Sequence, residues 1–145
     1  MCGRYVLDPT DKFYNRFQIE NRLDELGPRY NIAPTQIVPV VISKSPNRVM
    51  LMKWGLIPHW AKDPKIGYKM INARIETLKE KPSFRDALIN RRCIIPASGF
   101  YEWKETKDGN SPYYIHSKDN PLIGFAGLMM FGKTQLARMY LVLQS

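Results

Sequence analysis

Eleven prolines, spread from Pro9 to Pro121, limit the fold of this 145-residue chain more than any other feature. A proline removes a backbone donor and clashes with the preceding turn, so it stops helices and is kept out of the middle of sheets. Together with nine glycines, the prolines cut the sequence into short apolar or alternating runs. Val38 to Ile42, Val49 to Trp54, Cys93 to Pro96, Phe100 to Lys104, Tyr113 to His116 and Leu122 to Leu128 are predicted strands. Two stretches read as helices. Asp8-Pro9-Thr10-Asp11 leads into Phe13, Phe17 and Ile19, which predicts a capped helix to about Leu26, stopped by Gly27-Pro28. After Pro82, the spacing of Phe84, Ala87 and Leu88 predicts a second helix over Ser83 to Asn90. The sum is an α+β domain dominated by antiparallel β-strands. Met139 to Leu143 is one more strand-like run, and only Gln144 and Ser145 come after it. It reads as the last strand of a chain cut short, with an edge left unpaired.

No repeat, low-complexity tract or Gly/Ser linker divides the sequence, so one domain over residues 1–145 is expected. A hydrophobic content of 44% with 24% charged residues fits a folded soluble protein. No window approaches the ~18 apolar residues of a membrane span, and Met1 to Tyr5 lacks the apolar core of a secretory signal. A cytoplasmic protein is expected, with no membrane partner. Cys2 and Cys93 lie far apart without partner spacing, which predicts free thiols and no disulfide framework or zinc site. Nothing resembles a coiled coil, so a monomer is expected. The net charge of +9 is concentrated in residues 51–100, where ten Lys/Arg face four Asp/Glu. Such a field attracts polyanions, nucleic acid above all, although it also serves plain solubility.

Cys2 is the position with the most chemistry. Removal of Met1 would expose an α-amine and a thiol on one two-carbon frame, a 1,2-aminothiol. The amine, with an ordinary pKa of about 7.7–8.0, attacks aldehydes at neutral pH far more readily than a lysine does. The neighbouring thiol can then add to the imine carbon and close a thiazolidine ring, which resists hydrolysis. Read alone, Cys2 is equally well an inert cysteine at a frayed terminus.

Cys2 does not stand alone. Met1-Cys2-Gly3-Arg4-Tyr5, Tyr30-Asn31-Ile32-Ala33-Pro34, Trp54-Gly55-Leu56-Ile57-Pro58, Ile71-Asn72-Ala73-Arg74-Ile75-Glu76-Thr77 and Ser98-Gly99-Phe100-Tyr101-Glu102-Trp103-Lys104 occur in that order. Together they resemble the SOS-response-associated peptidase (SRAP) domain, the abasic-site processing proteins, over residues 2 to about 128. The resemblance implies a barrel-like fold of antiparallel strands with flanking helices. It also implies a DNA-damage function: binding single-stranded DNA and crosslinking Cys2 to the ring-opened aldehyde of an abasic site, with a peptidase activity that frees Cys2. Glu102 matches the family's acidic catalytic residue, and both imine formation and ring opening need proton transfers near the aldehyde. Asn72 matches the asparagine that holds Cys2 and the lesion. Arg74 matches an arginine that grips the DNA backbone, for which the guanidinium fork suits, and Arg4 sits close enough to Cys2 in the sequence to contact the same phosphates. Trp60, Trp103 and Pro34 are the candidates for stacking on or wedging beside bases. No cofactor or metal is implied.

One family motif, His-x-Arg-Met-Pro, has no counterpart. His59 and His116 stand in other contexts, and neither is a credible substitute. Two further readings therefore stay open. One is a catalytically degenerate single-stranded-DNA-binding remnant. The other is an N-terminal-nucleophile amidotransferase, which explains Cys2 but not the basic middle or the later motifs.

Overall fold

The computed structural model describes residues 2–55, 63, 65, 70–131 and 137–143. In chain order the elements are β1 (Arg4–Leu7), α1 (Phe13–Arg16), β2 (Arg29–Ile32), β3 (Ile37–Ile42), β4 (Arg48–Trp54), β5 (Asn72–Arg74), α2 (Pro82–Asn90), β6 (Arg92–Ala97), β7 (Gly99–Thr106), β8 (Gly109–His116), β9 (Ile123–Phe131) and β10 (Ala137–Leu143). A single 3-10 turn, Ile75–Thr77, comes directly after β5. Among the described residues no helix is long and apolar enough to cross a membrane.

Two sheets carry the architecture. The smaller has the order β2-β1-β7-β8, all antiparallel, with β7 and β8 forming a hairpin in which Thr106 pairs with Gly109. Gly109 has φ +114, which an L side chain rarely adopts, so glycine suits the tight reversal. The larger sheet runs β4-β3-β6-β9-β10-β5, and β10 also pairs with β4. That extra pairing curls the sheet until it meets itself. Along β10, Arg138 and Met139 align with Lys53 and Trp54 of β4, while Leu141 to Leu143 align with Asn72 to Arg74 of β5. Its other edge pairs with β9, from Ala137 to Leu141. The run expected to end as an open edge is thus hydrogen-bonded on both sides.

The core fills the space these sheets enclose. Tyr5, Phe13, Ile32, Val38, Val40, Met52, Trp54, Ile95 and Ala97 are each 0% exposed. The Tyr5 ring lies 5.5 Å from Trp54 and meets Phe125 edge-on at 6.1 Å. A smaller cluster of Ala73, Leu78, Phe84, Ala87 and Leu128 seats α2 against β9. The second helix therefore forms where the spacing places it.

The first helix is a correction. α1 is one turn, Phe13–Arg16, where the sequence predicts a helix to about Leu26. Gln18 adopts φ +52, which ends it. The segment after Gln18 is held by side chains instead of helical bonds. Asn47 donates from Nδ2 to the Phe17 carbonyl at 3.0 Å. The Asn21 amide both donates to the Val49 carbonyl (2.9 Å) and accepts from the Val49 amide (2.8 Å), standing in for a strand neighbour of β4. Phe13, Phe17 and Ile19 are buried in keeping with their spacing, but only Phe13 lies within the helix.

Candidate active site

Cys2 lies where the two sheets meet. It sits two residues before β1, a central strand of the smaller sheet, and its carbonyl accepts a hydrogen bond from Nδ2 of Asn72, in β5 of the larger one, at 2.8 Å. Its thiol donates to the Arg4 carbonyl at 3.5 Å. The residue is 2% exposed and belongs to the main core cluster. The segment that could have been a frayed terminus is tied down at both its carbonyl and its side chain.

Burial decides the thiol's acidity. Desolvation, with a smaller push from the Glu102 carboxylate and against the opposing hydrogen bond at Arg4, raises the Cys2 pKa from 9.0 to about 11. Cys93, buried in β6, is pushed up to about 12 by desolvation alone. Both thiols stay neutral in the folded protein at pH values where an unfolded chain has begun to ionise them. The stability they contribute is fully present below pH 9 and is lost as pH rises toward the folded values. Thermal unfolding measured between pH 8 and 10, below the range where the buried Tyr5 phenol adds to the loss, should show stability falling by ~1.4 kcal/mol per thiol for each unit above 9. In a Cys93→Ala variant the slope should be roughly halved.

The remaining predicted residues can be placed one by one. Glu102 is half-buried on β7, and the register puts it opposite Tyr113, on the face shared with Phe100 and Tyr5. Its sequence neighbours Tyr101 and Trp103 point to the opposite face, so they do not flank the carboxylate as adjacency in the sequence suggests. Asn72 is half-buried, and its Oδ1 has no hydrogen-bond partner among the described residues. The buried Tyr5 hydroxyl likewise has none among them. Unpaired buried polar atoms cost ~1–3 kcal/mol each, and a ligand group or a water that reached them would recover it. Arg74, two residues beyond Asn72 on β5, is exposed. Pro34 is half-buried in the turn between β2 and β3, where Thr35 has φ +75 and its amide donates to the Trp54 carbonyl at 2.8 Å. Trp103 is 47% exposed. Trp60 and His59 lie outside the described residues.

Two residues that the motifs do not single out complete the arrangement. Asn31 accepts a hydrogen bond from Nη1 of Arg4 at 2.9 Å and so aims the guanidinium across β1 and β2. Trp54 donates from Nε1 to the Ile71 carbonyl at 3.0 Å, which fixes the backbone just before Asn72. Asn31 stands inside Tyr30-Asn31-Ile32-Ala33-Pro34, and an arginine and an asparagine on neighbouring strands are the signal that could have found it. The Trp54 bond depends on a tertiary crossing that no local pattern announces.

Comparison with known proteins gives this geometry its context. The profile of the SOS response associated peptidase (SRAP) family matches residues 1–142. The chain belongs to that family. The match runs beyond residue 128, where the motif resemblance stops, and takes in β10 up to Val142. The abasic site processing protein YoqW of Bacillus subtilis is 51% identical over 133 residues, which cover 88% of this chain and 59% of YoqW. The abasic site processing protein HMCES of Gallus gallus is 38% identical over 106 residues, covering 64% of this chain and 32% of HMCES. The chain thus spans about three fifths of the length of the bacterial relatives it matches. A crystal structure of a Bacteroides thetaiotaomicron protein superposes with a TM-score of 0.84 at 27% identity, over 97% of this chain and 67% of that one. The fold is therefore that of the family: mainly antiparallel strands in a curled sheet, with few helices.

Proposed function

We propose that this chain processes abasic sites by capturing them covalently in single-stranded DNA through Cys2. The observation that carries the reading is the bond from Asn72 to the Cys2 carbonyl, supported by the Glu102 carboxylate, whose charge is felt at the same thiol. Asn72 and Glu102 stand on strands of different sheets, and the Asn72 bond ties the Cys2 backbone across from one sheet to the other. The names of the relatives, abasic site processing proteins, support the substrate class.

The chemistry derives from the aminothiol. Once Met1 has been removed, by the family's peptidase activity or by a methionine aminopeptidase, the α-amine of Cys2 attacks the aldehyde carbon of the ring-opened sugar. The adduct loses water and becomes an imine. The thiol then adds across the C=N bond, sulfur to carbon and proton to nitrogen, to give a thiazolidine. No electron acceptor, metal or cofactor takes part. With its pKa raised to about 11, the thiol arrives at ring closure as S–H, so its proton must be moved by a neighbour, and Glu102 is the carboxylate to which we assign that transfer. Asn72 keeps the Cys2 backbone in position and offers its unpaired Oδ1 to a hydroxyl of the lesion. Arg4 and Arg74 hold phosphates, while Trp103, Pro34 and Trp60 meet bases. The protein acts as a monomer inside the cell.

The test is denaturing gel electrophoresis of protein incubated with single-stranded DNA that carries one abasic site, beside intact DNA. A retarded band with lesion DNA alone, surviving heat, is the expected result, because a thiazolidine persists where an imine hydrolyses. A band absent from protein shown to be folded and to have lost Met1 would sink the covalent reading. Salt-sensitive reversible binding would then point to a degenerate binder, and glutamine hydrolysis to an amidotransferase.

A further inference from the structure

The face of the smaller sheet opposite Glu102 carries a row of rings that the chemistry at Cys2 does not use. Trp103 lies 6.5 Å from Tyr101, Tyr101 lies 5.4 Å from Tyr114, and Tyr114 stacks on His116 at 5.3 Å with 21° between the planes. The β7–β8 register places all four on one face of the hairpin. A cavity of about 500 Å³ opens beside them, lined also by Tyr30, Ser98 and Lys118. That volume is within the range of small-ligand sites.

The row is built and held in place. A Cβ at Gly99 would come within 2.6 Å of the Tyr114 ring, so only glycine lets this ring lie flat across the sheet. The Tyr101 hydroxyl donates to the Tyr30 carbonyl at 3.0 Å, and the Tyr30 hydroxyl donates to the Asp8 carboxylate at 3.4 Å. Yet Tyr30 is 59% exposed and Tyr114 45%, so their faces remain open. Fixed aromatic rings with open faces suit flat, unsaturated ligands, because every nucleobase offers a π-face.

Continuity and charge select among such ligands. Arg4, two residues from Cys2, pairs directly with Tyr101, so the row begins beside the candidate active site. Tyr114 is one strand further, ~10 Å from Arg4 across two strand spacings, about the length of three stacked nucleotides. Lys118 supplies a cation to the lining of the cavity, on a chain of net charge +9. The Asp8 carboxylate faces the same cavity, where it would accept from the amino edge of a base.

We propose that Tyr101, Tyr114 and His116 extend the DNA-binding surface beyond Trp103 as a base-stacking track, with the cavity seating an unpaired nucleobase several nucleotides from the lesion. This rests on the reading of Cys2 as the group that captures abasic DNA. The test compares two single strands, an abasic trinucleotide and a longer abasic strand able to reach His116. Affinity is read by fluorescence anisotropy with the lesion stabilised as its reduced form, and crosslinking is read on denaturing gels with the native lesion. The wild type should bind the longer strand more tightly, and Tyr114→Ala should shrink that advantage by roughly five- to a hundredfold. Tyr114→Phe, which keeps the ring, should retain it, and circular dichroism should show both variants folded. An unchanged advantage in Tyr114→Ala alongside normal crosslinking overturns the track and leaves the reading of Cys2 intact. A free deoxynucleotide that displaces the longer strand at equal concentration also overturns it, in favour of a mononucleotide pocket. Absence of both crosslink and binding in the wild type removes the reading of Cys2 and the track with it.

Discussion

Cys2→Ala is expected to abolish the heat-stable band with abasic single-stranded DNA, a loss of at least about a hundredfold in crosslink yield, while the protein stays folded. The size of the effect comes from the chemistry. Alanine keeps the α-amine, so an imine can still form, but no sulfur remains to close the ring and the imine returns to aldehyde and amine in water. Borohydride added during the incubation should recover a band from the variant by reducing that imine, which separates loss of capture from loss of binding. The structural cost is small. Cys2 is 2% exposed, and removing one sulfur from the edge of the core costs about 1 kcal/mol. A variant that crosslinks as well as the wild type without borohydride would show that some other nucleophile forms the bond. A variant that fails to fold would show that burial of this thiol is chiefly structural. Thermal melts run beside the gels separate these outcomes.

The second large effect is on stability. Trp54→Ala is expected to lower stability by ~3–5 kcal/mol, which is a fall in melting temperature of roughly 6–20 °C for a domain of this size. Trp54 is 0% exposed, packs against Tyr5 at 5.5 Å, and donates its indole N–H to the Ile71 carbonyl. Truncation therefore opens a cavity and leaves a carbonyl without its donor. Trp54→Phe, which keeps much of the volume but not the donor, should lose only about 1–3 kcal/mol. Because Ile71 precedes Asn72, both variants should also slow crosslinking. A melt of Trp54→Ala within a few degrees of the wild type would show that the ring is not central to the packing.

The features behind these two effects differ in how openly the sequence displays them. The strands of six or more residues are legible because alternation and Pro/Gly boundaries mark them, and β3, β4, β6, β7, β8 and β9 all form. β1, β2 and β5 have only three or four residues each, too few for a period to show, and they form because longer strands offer them an edge. The long first helix fails because Asn21 and Asn47 bind backbone of their neighbours, which no 3.6-residue count can register. At the site, the motifs name Cys2, Asn72 and Glu102; the fold joins Asn72 to the Cys2 carbonyl by a hydrogen bond and sets Glu102 on β7, where its charge is felt at the Cys2 thiol. The same motifs give Tyr101 no part. Its place in the row of rings depends on Tyr114 and His116, in a run whose residues predict a strand and nothing more.

The central position of β1 also sets an order of events. β1 meets β2 early, but Arg4 pairs with Tyr101 and the Cys2 carbonyl with Asn72, so the N-terminal strand completes its pairing only after most of the chain has left the ribosome. Until then the Cys2 thiol is open to solvent; afterwards it is 2% exposed. Shielding of this thiol from oxidants and stray electrophiles therefore begins only when the late strands are in place.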